Sequence, residues 1–300
     1  MDFSKSINAQ FYELRQDVPR VNMVAVDNEN SEYSTGTGYC KNCYLINSSE
    51  ECEDCYYGKL FQNCKRCVDC AYVYDSDKLY QCLNVKKGYK SMYLHNSSEC
   101  SDCYYSDDLI GCDHCMFCSN LRNASYCFEN TQLSKEEWKE KVQEYLGTRT
   151  HIAAALEKFE QVIRQKITKY ASVVNSENSF GDILIDDKNC VFCYDVNDSE
   201  DCRYVNVGVD VKSNMDCNNI YMKPERNYEV LGTIGTYNVH FSTFIFNCSN
   251  LLYCQDCHDS KNLFGCIALR NKEYCIFNTQ YTKEEYEDLV PKIITYMKET

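Results

Sequence analysis

No cluster of five basic residues occurs anywhere in this 300-residue chain. No apolar run approaches the length of a bilayer span, and the opening stretch MDFSKSINAQFYELRQ lacks the basic-then-apolar pattern of a secretory leader. Net charge is −14 and the pI is about 4.9, so the surface repels phosphate backbones and anionic lipid. These absences argue against nucleic-acid and membrane partners. They lead us to expect a cytoplasmic protein. Gly-rich phosphate loops, HExxH and GxSxG are missing too. No small-molecule substrate is indicated, and the chain reads as not an enzyme. With 3 Pro and one Trp against 23 Cys and 26 Tyr, the core is packed from unusual parts.

A duplication organises the sequence. CSNLRNASYCFENTQLSKEEW from Cys118 and CIALRNKEYCIFNTQYTKEEY from Cys266 lie 148 residues apart and share 12 of 21 positions. Glu29-Asn30-Ser31 recurs as Glu177-Asn178-Ser179 at the same offset, and Lys41-Asn42-Cys43 recurs as Lys188-Asn189-Cys190 one residue out of step. Two domains are expected, over 1–147 and 148–300. Each runs helix, ENS segment, Cys-rich body, closing motif and helix.

Apolar spacing predicts a first helix through Phe3, Ile7, Phe11 and Leu14, stopped by Pro19. Its counterpart in the second copy passes through Ile152, Leu156, Phe159, Ile163 and Ile167. Phe11 and Leu14 correspond to Phe159 and Val162. Ser134–Glu137 and Thr282–Glu285 are capping boxes. They open helices carrying Trp138, Val142 and Tyr145, and then Tyr286, Leu289, Val290 and Ile293. Two helices joined near Gly147 are expected over 134–170, and Pro291 should bend or shorten the last one.

Within the first copy, residues 40–135 fall without gaps into rows of twelve: CKNCYLINSSEE, CEDCYYGKLFQN, CKRCVDCAYVYD and so on. The first column is always small, the fourth is mostly Cys, and the fifth is always apolar. Every cysteine spacing from Cys40 to Cys127 is a multiple of three. The fold expected is therefore α+β, a tandem duplication of a short β-solenoid of twelve-residue coils flanked by amphipathic helices. Stacked coils would sit ~4.8 Å apart, with columns one, four, seven and ten pointing into a narrow interior. The second copy keeps this frame in degraded form. Between Cys217 and Cys248 we expect strands with Gly turns in a less regular solenoid or in wider coils.

The combination of ENSEY, KNCYL, ECEDCYYG and the LRN–YC–N–KEE ending resembles a family of Cys-rich repeat proteins from uncultured small-genome bacteria and tailed phages. The resemblance covers most of the chain. It implies a phage or reduced-genome setting, with a virion location if the gene belongs to a phage, and supplies no functional residues.

Three readings of the cysteines compete. As core filling, the thiols act as small buried hydrophobes. As zinc ligands, adjacent CxxC pairs would supply Cys40, Cys43, Cys52 and Cys55, or Cys100, Cys103, Cys112 and Cys115. No cofactor is otherwise required. As disulfides, stacked cysteines fall within bridging distance. His114 and His258 stand beside cysteines, but such adjacency is expected by chance here. The aromatic fifth column should face outward, offering Tyr44, Tyr56, Tyr80, Tyr104 and Phe128 either to the helices or to a partner. The closing motifs Leu121-Arg122-Asn123 and Leu269-Arg270-Asn271 are expected to cap each solenoid, their arginines covering open carbonyls of the last coil. The function favoured is a non-catalytic scaffold or protein-interaction module, engaging a protein partner or itself. A zinc-dependent binding module is the alternative, and a thiol-redox protein a more distant one.

Overall fold

The computed structural model describes residues 4–19, 23–146, 148–197, 199–203, 206–209, 218–221 and 226–299. Gly147, Cys217 and Phe3 lie outside these, and so do the sequence expectations that fall on them. The chain forms two compact units, Val21–Thr168 and Met1–Arg20 together with Lys169–Thr300. The units are not the 1–147 and 148–300 halves of the sequence. Each contains the helix that precedes the other's solenoid.

Both units are parallel β-solenoids, each with one 12-stranded sheet. In the first, equivalent residues pair at a separation of twelve: Tyr44 with Tyr56, Asn47 with Lys59, Asp113 with Ser125. The coil is built from three-residue steps. In residues 40–51, Asn42, Leu45, Ser48 and Glu51 have φ of 53°, 52°, 51° and 52°. Each left-handed residue turns the chain by one corner, so one coil has four short sides. The residue after each corner points inward, giving the buried set Cys40, Cys43, Ile46 and Ser49. Left-handed backbone suits Asn and Asp, and stacked corners use them as ladders. Asn30 donates to Asn42 at 3.0 Å and Asn42 to Asp54 at 3.2 Å.

Inward residues keep ladder bonds at their carbonyls, as in Lys41 N to Cys52 O at 2.8 Å, while many of their amides turn to side chains of the previous coil. The Cys103 amide donates to Ser91 Oγ at 3.1 Å, one coil earlier, and the Cys82 amide to Cys70 Sγ at 3.2 Å. Each described thiol in turn donates to the carbonyl two residues back, and many also to the carbonyl nine ahead. Cys64 Sγ reaches Gln62 O and Val73 O, both at 3.2 Å. At inward positions cysteine and serine thus fill a narrow space and hydrogen-bond across it. Larger side chains are accommodated by adjacent glycine: a Cβ on Gly58 would lie 2.0 Å from the Phe61 ring.

The second unit departs from twelve. Val173 pairs with Leu184, eleven on, and the register shifts between Phe180 and Gly181. This shift accounts for the one-residue slip of the KNC motif. Asn218 pairs with Leu231, thirteen on. From Tyr228 the period returns to twelve, with Tyr228 opposite His240. Gly232 and Gly235 occupy left-handed corners at φ 63° and 62°.

Among the described residues four helices flank the solenoids: α1 (Ile7–Asp17), α2 (Lys135–Gln143), α3 (Arg149–Gln165) and α4 (Lys283–Glu299). Both capping boxes form, with Glu137 N to Ser134 Oγ at 3.3 Å and Glu285 N to Thr282 Oγ1 at 3.2 Å. Two expectations need correction. α4 runs through Pro291 without being shortened, because Val290 and Ile293 on its apolar face stay buried against the solenoid. Ile167 lies beyond the end of α3 and is 79% exposed.

Candidate functional site

The fifth and sixth columns meet at one edge of each coil and form an apolar stripe, interrupted in the first unit at Asp69 and Gln81. In the first unit it passes from Tyr33 through Tyr44 to Tyr57, with ring centroids 5.6 and 5.8 Å apart. It resumes at Tyr80, Tyr93, Tyr105 and Phe117, at 5.7, 4.8 and 5.6 Å. Its C-terminal part is covered. Trp138 of α2 stacks over Tyr104, Phe159 of α3 meets Tyr105 edge-on, and Phe117 and Phe128 are buried with Val142 and Ala155. Its N-terminal part is bare, with Tyr33 63%, Leu45 47%, Tyr57 51% and Tyr80 43% exposed. The five aromatics predicted as a partner face thus divide. Tyr104 and Phe128 lie under the helices, Tyr44 and Tyr56 are half-buried, and Tyr80 is open.

The second unit repeats the division. Phe264 and Ile276 are buried under Tyr286, Val290 and Ile293 of α4, whereas Phe180 and Phe192 are 68% and 56% exposed.

α3 is also held by polar contacts. Lys166 Nζ reaches the buried Asp107 carboxylate at 2.6 Å, and Asn120 bonds both the amide and the carbonyl of Ile167, at 3.1 and 2.9 Å. Lys158 pairs with Glu129 and lies 5.1 Å from the Phe117 and Phe128 ring centroids. Burial lowers the pKa of His95, which packs on Phe159 at 5.0 Å. No sequence signal marked Asp107 or Lys166, because their meeting depends on where α3 lands.

Leu121 and Leu269 pack against the two cores. Arg122 does bond carbonyls, Asp108 O at 2.6 Å and Leu121 O at 2.9 Å, and also the Asp108 carboxylate at 2.8 Å. These groups lie short of the end. The strand Ser125–Phe128 follows, Thr131–Gln132 turns back antiparallel on it, and Trp138 Nε1 donates to Cys127 O at 3.2 Å. The hairpin and α2 close the solenoid where the arginine was expected to. Asn123 and Asn271 are left-handed corners, with φ 51° and 52°, and Arg270 pairs through its backbone with His258.

The 22 described cysteines are buried thiols. Disulfides were one expectation; instead the thiols turn to backbone carbonyls. The two predicted zinc quartets come together as ladders. Among the described residues no three thiol sulfurs lie within 4.8 Å of one another, whereas a tetrahedral zinc site at 2.3 Å needs all four within about 3.8 Å. Within the ladder, bonds from Cys43, Cys52 and Cys67 lower the pKa of Cys55, and those of Cys52 and Cys67 rise. Burial pushes Cys248 and Cys275 up to about 11.

A different trio has ligand atoms within 4.8 Å of one another: Asp102, Asp113 and His114. Hard carboxylate oxygens with one imidazole suit a divalent cation. Here Asp102 takes Lys90 at 2.9 Å and the Tyr104 hydroxyl at 3.2 Å, and Asp113 accepts from Ser101 Oγ at 2.6 Å. His114 Nδ1 lies 2.7 Å from Asp113 Oδ2, off the line of a hydrogen bond, and its ring stacks on Tyr126. An ion would have to displace Lys90.

No family model matches the chain, and no curated protein matches it. Among solved structures, the polySia-specific acetyltransferase NeuO aligns over 92% of this chain and 93% of its own, at 8% identity and a TM-score of 0.09.

Proposed function

We propose that the protein is a non-catalytic interaction scaffold whose bare aromatic stripe receives an amphipathic helix of a protein partner. One observation carries this reading. In each unit the same stripe is covered by helices at its C-terminal end and left open at its N-terminal end. The open stretch continues a surface already suited to helices, with ring edges spaced for side chains at i, i+4 and i+7. Its tyrosines are rigid, large and amphipathic, the type that dominates binding energetics. The interior thiols serve the scaffold by completing its hydrogen bonds, and their burial argues against the redox alternative.

The test is selection from a library of amphipathic helical peptides on the full-length chain. Peptides with one apolar face should be enriched and should become helical on binding. Tyr57→Ser and Tyr80→Ser should each weaken them about tenfold or more. Tyr89→Ser, off the stripe, should leave them unchanged. Binders indifferent to the stripe substitutions would defeat the proposal.

A further inference from the structure

The helix α1 opens the chain, yet it belongs to the unit formed by Lys169–Thr300. The duplication offset of 148 places Ile7 opposite Ala155 and Phe11 opposite Phe159. α1 is therefore the counterpart of α3, and each helix completes a solenoid other than the one it leads into. α3 reaches its solenoid through a short connection from α2. α1 comes to its site from the far end of the chain.

The two helices are held very differently. α3 brings Ala155 and Phe159 into the buried cluster, with Leu156, Val162 and Ile163 packed against it. α1 contributes Ile7, against Phe264, Ile276, Tyr286, Val290 and Ile293. Each polar fastening of α3 is also replaced in the second unit. Gln255 stands for Asp107, Val18 for Lys166, Ala268 for Asn120, Phe277 for Glu129 and Gln10 for Lys158. The salt bridges that lock α3 thus have no equivalent residues at α1.

We infer that α1 is an exchangeable clamp, docking on the second unit of another copy of the chain as it does on its own. The protein then self-associates by helix exchange, reciprocally into a closed dimer or head to tail into longer chains. The site demands one helix of this apolar pattern and does not depend on which copy supplies it. This inference is independent of the bare stripe, which lies at the opposite end of each solenoid.

The experiment uses the full-length chain and a fluorescein-labelled synthetic peptide of residues 4–18. Light scattering should show the wild-type mass rising above 35.0 kDa with concentration. Excess unlabelled peptide should return it to that value. Ile7→Asp, which frees the site of its own helix, should stay at monomer mass and bind the labelled peptide at least about tenfold more tightly than wild type does. Tyr12→Asp, on the 62% exposed face of α1, should behave as wild type. A wild-type mass that stays constant with concentration would overturn the inference, as would a mass rise that excess peptide leaves unchanged. The peptide arm uses the wild-type chain, so the test stands even if Ile7→Asp fails to fold.

Discussion

The two units began as the same sequence and have been maintained to different standards. The first holds 14 of the 23 cysteines and keeps a register of twelve along its paired strands. The second holds 9, contains coils of eleven and thirteen, and has Val230, Leu251 and Leu263 where the first has inward Cys82, Cys103 and Cys115. Both still close with the same hairpin and capped helix. What the fold demands is therefore the corner every third residue and a buried inward side chain. Cysteine is a good answer to that demand and not the only one.

The contrast can be pressed hardest at the glycines. A Cβ on Gly181 would lie 1.8 Å from the Cys193 carbonyl oxygen, which is fixed in the ladder. On Gly58 it would meet the buried Phe61 ring at 2.0 Å and the Cys70 carbonyl oxygen only at 2.7 Å. Gly181→Ala should cost about 3 kcal/mol and unfold the second unit first, while Gly58→Ala should cost about 1–2 kcal/mol less than that. Urea titration followed by a probe in each unit would rank them, and the reverse order would refute the account of the eleven-residue coil.

Next in size is the lock on α3. Lys166→Ala strands the Asp107 carboxylate, 1% exposed, and should cost the first unit about 3 kcal/mol. Val18→Ala, at the equivalent position, should cost the second unit less than about 1 kcal/mol. Calorimetry should show the two thermal transitions moving unequally.

Asp187, buried at an inward position of the second unit, sharpens the comparison through pH. Burial raises its pKa from 3.8 to about 6. The folded state thus holds this proton more tightly than the unfolded state does. Its stabilising contribution is complete below about pH 3.8 and is lost as pH rises through 6. Asn28 and Asn227 make the same bond from equivalent places, to the amides of Cys40 at 2.9 Å and Val239 at 3.0 Å. Asp187→Asn should therefore stabilise the second unit at pH 7 by up to about 2 kcal/mol and flatten its stability between pH 4 and 6. Equal gains at both ends of that range would contradict the assignment.

The smallest effect is at the thiols themselves. Cys55→Ser keeps a donor for Glu53 O and Cys64 O, each now at 3.5 Å, and should change stability by less than about 1 kcal/mol. Cys55→Val removes the donor and adds bulk to a fully buried position, and should cost about 2 kcal/mol. If Val is the better tolerated, the thiols are filling and nothing more.

Much of this fold could be read before any coordinates. The twelve-residue rows gave the coil length, and cysteine spacing in threes gave the inward positions. The KNC slip already held the eleven-residue coil. The left-handed corners were missed, although Asn42, Asp54, Asn63, Asp75, Gly111 and Asn123 mark them by type. They were hidden because Tyr57, Leu45 and Lys78 occupy identical corners, stabilised by stacking on the neighbouring coil. The candidate site was only half legible. Alternation placed the aromatic column outside, but which part the helices would cover depends on the paths of α3 and α1. The Asp102, Asp113 and His114 trio was invisible for a similar reason, since it joins two coils through side chains in different columns.

The inward hydrogen bonds have a direction. Ser91 serves the amide of Cys103 and Ser97 that of Leu109, and Cys43 and Cys55 donate forward to the carbonyls of Cys52 and Cys64. Each coil is thus provisioned by the one before it in the chain. Coupling between neighbours in a stack is usually treated as symmetric, and the backbone ladder here is, with Lys41 N reaching forward to Cys52 O and Asn42 N back to Glu29 O. The side-chain lining inside it is not, so the solenoid is a two-way ladder with a polar interior grain that ends at the terminal hairpin.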